Sequence, residues 1–404
     1  MRYCLALDVA KGKSMAVLAS DAGEILLGPK NVVHSLYELE SLAKDAEKIS
    51  GTKPTIMMEA TSVYHLQPKI FFEERGYQVV VTNPLVTAMR KKTLRKTKTD
   101  REDSIFLATS FFSGDFSIQE GDGSPNPDLQ GLLRQESLLT KTVAPLKCKM
   151  RMLVTMCFPS LEEIFPGNSL FSPTVLRFIA KCPSPELIGK KSAKTIAMWF
   201  SGGRKRYGLC IREAQKVSVK KDCLMPAVGK DSLYCASLSR MAEFIGEIAA
   251  RIAVCKAELA SECKGLPMFS VCKSFDGISD FLAATLAAEI GNPTRFSNEK
   301  KLIAYCGLDP TIVQSGKSIN WNGPISKRGN AYARTALFQC VIMMLRRDGI
   351  ASDGDKTEIG NYYRKKRSDG KHHYAAVMAC ATKLLRQIYF RSLDFAKTGS
   401  LIVK

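Results

Sequence analysis

The chain opens on short apolar runs separated by turns. Tyr3 to Val9 is apolar except for Asp8 near its end, Ser14 to Ala19 is a second such run, and Ala22-Gly23 marks the turn into a third, Glu24 to Leu27. Runs of this length bounded by turn residues predict buried strands. From Leu36 to Ile49 the spacing becomes helical, and it stops at the turn Gly51 to Pro54. Thr55 to Met58 reads as a further buried strand that ends on Glu59. A helix over about Tyr64 to Arg75 stops at Gly76, and the strand Gln78 to Thr82 runs into Asn83-Pro84. Three early strands followed by strands alternating with helices predict an α/β domain with a mixed sheet, closing at about residues 120–127.

Two later segments carry heptad spacing. Leu238, Met241, Ile245, Ile248, Ile252, Cys255 and Leu259 alternate steps of three and four, which puts them in one stripe along a helix. Leu132, Leu139, Val143, Leu146, Met150 and Leu153 keep a looser version, with Pro145 positioned to kink it. The pair reads as an antiparallel helical hairpin or as an arm that joins a second protomer. Between them, residues 159–228 mix Pro, Gly and basic residues and read as a helical or irregular insertion. Further on, Ser274 to Ser279 lead into the small-residue helix Phe281 to Ile290. That hairpin between helices suits either a loop set against a phosphate backbone or a packing turn.

Composition narrows the function class. The 404 residues hold 59 Lys and Arg against 39 Asp and Glu, a formal net charge of +20. No apolar run approaches the roughly 18–20 residues of a membrane helix, and the start lacks a secretory pattern, so a cytoplasmic protein with a polyanionic partner is expected, nucleic acid first. At roughly 100–200 residues per domain, two or three domains are expected. Thirteen cysteines form no CxxC pair, and His34, His65, His372 and His373 are too dispersed for a histidine metal centre. The cysteines read as small buried hydrophobes, and any metal would be held by carboxylates.

Four acids stand out by position. Asp8 and Glu59 lie at strand ends, whereas Asp100 and Asp103 sit three apart at the start of a helix and so share a face. Strand ends and a helix of this kind can bring several carboxylates to one edge of a sheet. Hard divalent cations take such oxygen ligands, and a pair of them assists phosphodiester chemistry. Just before Asp100 lies a run with six basic residues in nine, Arg90, Lys91, Lys92, Arg95, Lys96 and Lys98. A charge run is commonly a solvated face, but this one abuts two of the acids, as a loop gripping a phosphate backbone would.

The C-terminal third carries a second cluster. Gly307-Leu308-Asp309-Pro310 leads into Gln314-Ser315-Gly316-Lys317 and then Gly323 to Asn330, with Arg334 beyond. Ser315 beside a glycine can present its hydroxyl freely, and Lys317, Lys327, Arg328 and Arg334 can neutralise phosphate charge. No histidine is near in sequence to serve as its base, so a Ser-His-Asp hydrolase has no support. Ser315 is read as a nucleophile or as a plain turn serine.

Asp8, Glu59 within EATSVYH, and the stretch Lys98 to Asp103, joined downstream to GLDP, QSGK and GPISKRGN, resemble the DEDD transposases of insertion sequences, the group of the Piv-type DNA invertases and bridge-RNA-guided recombinases. The resemblance covers about the first 110 residues and roughly residues 270–390. Ser62 and Ser104 depart from its pattern, standing where glycine and alanine are usual, and residues 159–228 match nothing in it. It implies an α/β plus α chain: a RuvC-like, RNase H-fold domain over 1–125, a helical coiled-coil arm over 126–265 with the insertion, and a mostly helical transposase domain over 266–404. It further implies that Asp8, Glu59, Asp100 and Asp103 hold Mg²⁺, with Mn²⁺ the alternative, and that Ser315 attacks a DNA phosphate to give a covalent phosphoserine link. Donor and target DNA, a noncoding guide RNA and a homo-oligomer, dimer or tetramer, are the partners it implies. The expected location is the cytoplasm of a prokaryote, at the nucleoid. The rival readings are a hydrolytic RuvC-like nuclease such as a junction resolvase, in which the same acids activate water, and a nucleic-acid-binding protein with a decayed site.

Overall fold

The computed structural model describes residues 1–59, 63–82, 100–112, 125–203, 208, 210–315, 319–350 and 357–398. The chain divides into two compact units, Met1–Gly121 and Asp122–Lys404.

The N-terminal unit is built on a five-stranded mixed sheet. Its strands are β1 (Tyr3–Ala10), β2 (Lys13–Ser20), β3 (Ile25–Val33), β4 (Thr55–Glu59) and β5 (Val79–Thr82), in the order β3-β2-β1-β4-β5. β1, β2 and β3 form an antiparallel meander, whereas β4 and β5 join β1 in parallel. Parallel pairing needs a crossover, and α1 (Leu36–Ser50) and α2 (Leu66–Glu74) supply two of them. The hydroxyl of Ser35 caps α1 by accepting from the Glu38 amide, and Gly51 ends it at φ 69°, a left-handed conformation that suits glycine.

Strand alternation sorts the core onto two faces. Leu5, Leu7, Ile56 and Met58 pack with Leu39, Leu42 and Phe72 of α1 and α2. Cys4, Ala6, Val17 and Met57 face the other way and pack against Leu107 and Ala108 of α3 (Asp100–Phe112). The sheet is therefore covered on both sides, which is why its strands read as near-continuous apolar runs. The mixed sheet foreseen from the sequence is present. β3 is longer than the run that announced it, because it continues on the sheet edge through the exposed Lys30 and Asn31, which carry no apolar signal.

The C-terminal unit is mostly helical. It starts with α4 (Pro127–Cys157), followed by α5 (Ser160–Ile164), α6 (Pro173–Lys181), α7 (Ala193–Ser201), α8 (Ile211–Lys220) and α9 (Leu233–Cys263). α4 and α9 each have 31 residues, about 46 Å at the usual rise, and α4 runs on through Pro145. The two lie antiparallel. Leu129 and Leu133 of α4 share a core with Leu259 and Cys263 of α9, while Met150 and Val154 share another with Leu238 and Ile245. Of the heptad stripe, Leu238, Ile245, Ile248, Cys255 and Leu259 are buried.

The described part of residues 159–228 is built of short helices joined by turns. Phe158, Phe178 and Phe200 are fully buried, and the rings of Phe178 and Phe200 stack at 4.4 Å, so these short helices close a core of their own on one end of the α4–α9 pair. Beyond α9 come α10 (Pro267–Lys273), α11 (Asp280–Ile290), α12 (Glu299–Tyr305), the hairpin β6 (Pro310–Ser315) and β7 (Ile319–Ile325), then α13 (Ala331–Ile350), α14 (Glu358–Ser368) and α15 (His373–Thr398). The turn between α10 and α11 is a packing turn. Phe275 and Ile278 are buried in it, Arg391 lies 4.0 Å above the Phe275 ring and donates to Ser274, and Gly277 abuts the backbone of Met344.

Eleven of the thirteen cysteines are buried thiols, Cys148 and Cys223 being exposed. Burial pushes the Cys306 thiol up to about 12. Among the described residues no helix is long and apolar enough to cross a membrane.

Candidate functional site

Asp8 and Glu59 are placed by sheet register. Leu7 and Met58 are the last pair of the parallel β1–β4 ladder, so Asp8 and Glu59 are each the next residue beyond it, toward the carboxyl ends of the two strands. Alternation also sets their face. Asp8 follows Cys4 and Ala6 by steps of two, and Glu59 follows Met57, so both stand on the face that α3 covers. Both are half-buried.

α3 brings the other two acids to that face. Asp103 lies one turn ahead of Leu107, whose side chain is in the core beneath the helix, and it too is half-buried. Asp100 opens the helix three residues earlier. Ser104, fully buried, donates to the Arg101 carbonyl and so needs no other partner. The four acids named from the sequence therefore belong to two strand ends and one helix start on one side of one sheet.

As the strands and helix stand, among the described residues no three His, Cys, Asp or Glu side chains converge closely enough to hold a metal ion. The donor set is nonetheless all hard oxygen, with no thiol or imidazole among it, which suits Mg²⁺ or Mn²⁺ and disfavours soft metals. Residues 83–99 lie outside the described residues, and with them Arg90, Lys91, Lys92, Arg95, Lys96 and Lys98.

In the C-terminal unit the backbone puts Ser315 at the end of β6, paired with Ile319 across the hairpin. Lys317 lies outside the described residues. The root of the hairpin is stapled by short polar contacts. Ser326 donates its backbone amide and its hydroxyl to Asp309, both at 2.7 Å, and the Lys327 amide donates to the Gly307 carbonyl. Lys327 adopts φ 55°, unusual for a residue with a side chain. Lys327 and Arg328 are exposed, but Arg334 turns inward and donates to the Cys306 carbonyl at 2.9 Å. That contact ties α13 to the loop after α12.

The residue that sequence reasoning missed is Glu289. It sits near the end of α11 and has no exposed surface. Arg134 of α4 forms a forked pair with its carboxylate, donating from Nη1 to Oε1 and from Nη2 to Oε2 at 3.2 Å, and Asn330 donates to Oε2 at 2.5 Å. Asn330 in turn caps α13 by accepting from the Tyr332 and Ala333 amides, while the Arg134 guanidinium lies 3.6 Å above the Tyr332 ring. The Tyr305 hydroxyl donates to the Glu289 carbonyl at 2.7 Å, and burial raises the pKa of that phenol. Gly329 completes the joint. A Cβ there would meet the Tyr305 carbonyl oxygen at 2.4 Å and the Gly307 nitrogen at 2.6 Å. The signal available in the sequence was a single acid in an otherwise apolar, small-residue helix, where an unpaired charge is costly.

Two family profiles match the chain. One, a transposase of the DEDD, IS110 type, matches residues 5–159, and the other, the Transposase IS116/IS110/IS902 family, matches residues 270–354. The first stretch contains Asp8, Glu59, Asp100, Asp103 and Arg134; the second contains Glu289, Ser315 and Asn330. Over 95% of its length the chain is 23% identical to the uncharacterized 44.8 kDa protein of insertion element IS116 from Streptomyces clavuligerus, 92% of which is covered. It is also 23% identical over 60% of its length to the 43.6 kDa protein of insertion element IS110 from Streptomyces coelicolor, of which 56% is covered. A putative transposase, y4rJ, of Sinorhizobium fredii is 32% identical over 37% of this chain and 38% of its own.

Proposed function

The chain belongs to the DEDD-type transposases of insertion sequences, and from that premise we propose that it cuts and rejoins DNA by metal-assisted serine transesterification. Its substrate is DNA, as for a transposase generally. Asp8, Glu59, Asp100 and Asp103 are assigned to hold Mg²⁺, which supplies charge neutralisation at the phosphate undergoing exchange. The observation that supports this assignment is that Asp8 and Glu59 each follow the last β1–β4 pair, Leu7 and Met58, and by strand parity stand on the face α3 covers. The strand order β3-β2-β1-β4-β5, with its acids at strand ends, supports a RuvC-like reading of the N-terminal unit.

Ser315 is assigned as the nucleophile. Its Oγ would form a bond to a DNA phosphorus as the bond to the leaving DNA oxygen breaks. The serine proton goes to solvent and the leaving oxygen takes one up, so the phosphodiester count is unchanged and the step can run in reverse onto another strand. The position that supports this is the end of a hairpin whose root is fixed by Asp309, Ser326 and Arg334. Lys327 and Arg328, exposed beside that root, together with the basic run over 90–98, are assigned to the phosphate backbone. The net charge of +20 is large enough for a second polyanion, a noncoding guide RNA, and strand exchange between two duplexes needs at least two active sites, hence a homo-oligomer. These assignments fit a cytoplasmic enzyme.

The test uses end-labelled DNA from the element's termini and Mg²⁺, followed by denaturation. Wild type should leave a covalent protein–DNA species, and Ser315→Ala should leave none while still binding DNA. Undiminished cleavage by Ser315→Ala would overturn the serine assignment in favour of water activated by the same acids, as in a hydrolytic nuclease. Sequencing RNA that co-purifies from the native locus tests the guide: one discrete structured RNA is expected, and random fragments would refute it.

A further inference from the structure

The C-terminal unit contains a groove of about 1110 Å³ between the hairpin root, α13, α14 and α15. Four aromatic side chains line it, Phe338, Tyr362, Tyr374 and Phe390. Tyr374 is 61% exposed and Phe390 52%, and the Phe338 and Tyr374 rings are within 25° of parallel with centroids 6.2 Å apart. Single exposed aromatics are ordinary, but here four share one concavity, two exposed and two half-buried, Phe338 and Tyr362.

Charge decides what kind of occupant it suits. Lys327, Lys371 and Arg386 contribute to the lining together with Arg334, held by the Cys306 carbonyl, and Lys383, paired with the one lining carboxylate, Glu358. Glu358 is itself engaged by Lys383 and Gln387, each at 2.5 Å, so it offers little to a cationic ligand. A concavity of accessible rings edged by cations suits an unpaired nucleic-acid strand, whose base faces stack on rings while its phosphates meet cations. A paired duplex keeps its base faces stacked inside and gains nothing from the rings.

Position links the groove to the chemistry. Pro310 and Ile325, which pair at the root of the hairpin, line it, and Ser315 ends β6 five residues further on, roughly 17 Å away along the strand. Stacked nucleotides rise about 3.4 Å each, so that distance corresponds to about five of them.

We propose that this groove holds unpaired nucleotides of the DNA strand that flanks the phosphate attacked by Ser315, with bases on the aromatic surface and phosphates on the cations around it. The inference rests on the reading of Ser315 as the residue that acts on DNA. It gives the C-terminal unit a means of distinguishing a melted or newly cut strand from intact duplex.

The test is fluorescence anisotropy on the full chain without Mg²⁺, using a blunt DNA duplex, the same duplex with a five-nucleotide single-stranded tail, the same tail made abasic, and the same tail in RNA. Wild type should prefer the DNA tail over the blunt duplex and bind the abasic tail no better than the blunt one. Tyr374→Ala and Phe390→Ala should each weaken tailed binding roughly tenfold, with blunt-duplex affinity unchanged within about twofold. Tyr374→Phe, which keeps the ring, should retain the preference. A tail preference that survives both alanine substitutions, an abasic tail bound as well as the normal one, or a preference shown only for the RNA tail would each overturn the proposal. The assay needs no catalysis. Loss of the covalent species with tail preference intact would refute only the serine assignment, and a covalent species without tail preference would refute only the groove.

Discussion

The acids of the two units live in opposite surroundings. On the sheet of the N-terminal unit, Asp8, Glu59 and Asp103 are half-buried, their backbones fixed by register and helix packing. In the C-terminal unit, Glu289 has no contact with solvent; Arg134 neutralises it and Asn330 donates a hydrogen bond to it. The first set keeps partial exposure to solvent. Glu289 is already paired, and its pairing ties the root of α4 to the loop that carries Gly329 and Asn330. A carboxylate's role thus follows from its surroundings: partly solvated acids on one face suit ligation, whereas a buried acid with a forked partner is scaffold.

Substitution should separate the two sets in opposite directions. The largest effect expected is on activity. Asp8→Asn or Asp103→Asn should lower Mg²⁺-dependent DNA cleavage at least about a hundredfold, since several kcal/mol of charge stabilisation is removed, while thermal stability changes little. The comparison breaks if either variant melts early and cuts normally when refolded.

Next in size is Arg134→Leu, which strands the Glu289 carboxylate in the core. Such a loss costs about 3–5 kcal/mol, and calorimetric unfolding should detect it as a marked drop in Tm. Adding Glu289→Gln to that variant should recover part of the loss. Equal stability of wild type and Arg134→Leu would make the pair ornamental. Gly329→Ala should follow at about 1–3 kcal/mol, because the added methyl meets backbone atoms of residues 304, 305 and 307 that cannot swing aside.

The smallest effect is one of pH. Burial lowers the pKa of His34, whose Nε2 shares a 2.7 Å hydrogen bond with Ser14 Oγ. The folded state therefore favours the neutral ring, and as pH falls below about 6.5, the ordinary value, the unfolded chain takes up the proton more readily and stability declines. Denaturant titrations of wild type and His34→Gln should diverge across that range, with the variant less sensitive to acid.

Much of the N-terminal unit was legible because its strands are short, buried on both faces and punctuated by glycine and proline. Asp8 and Glu59 stood out as charges inside such runs, and their common face followed once register was known. The C-terminal unit was harder to read. Residues 159–228 form a core from helices of five to ten residues, too short for periodicity to declare itself against Pro and Gly. The hairpin β6–β7 went unread, although Thr311-Ile312-Val313 and Ile319 to Trp321 around Ser-Gly are strand-like. Glu289 was invisible for another reason: its partner Arg134 is 155 residues away, and no local pattern connects them.

The most direct test of the account is Mn²⁺ binding to the full chain, followed by electron paramagnetic resonance, in wild type, in Asp8→Asn with Glu59→Gln, and in Glu289→Gln. The account predicts that wild type and Glu289→Gln take up the ion alike and that the paired Asp8 and Glu59 substitutions abolish uptake. Uptake undiminished by those two substitutions, or lost only with Glu289→Gln, would contradict it.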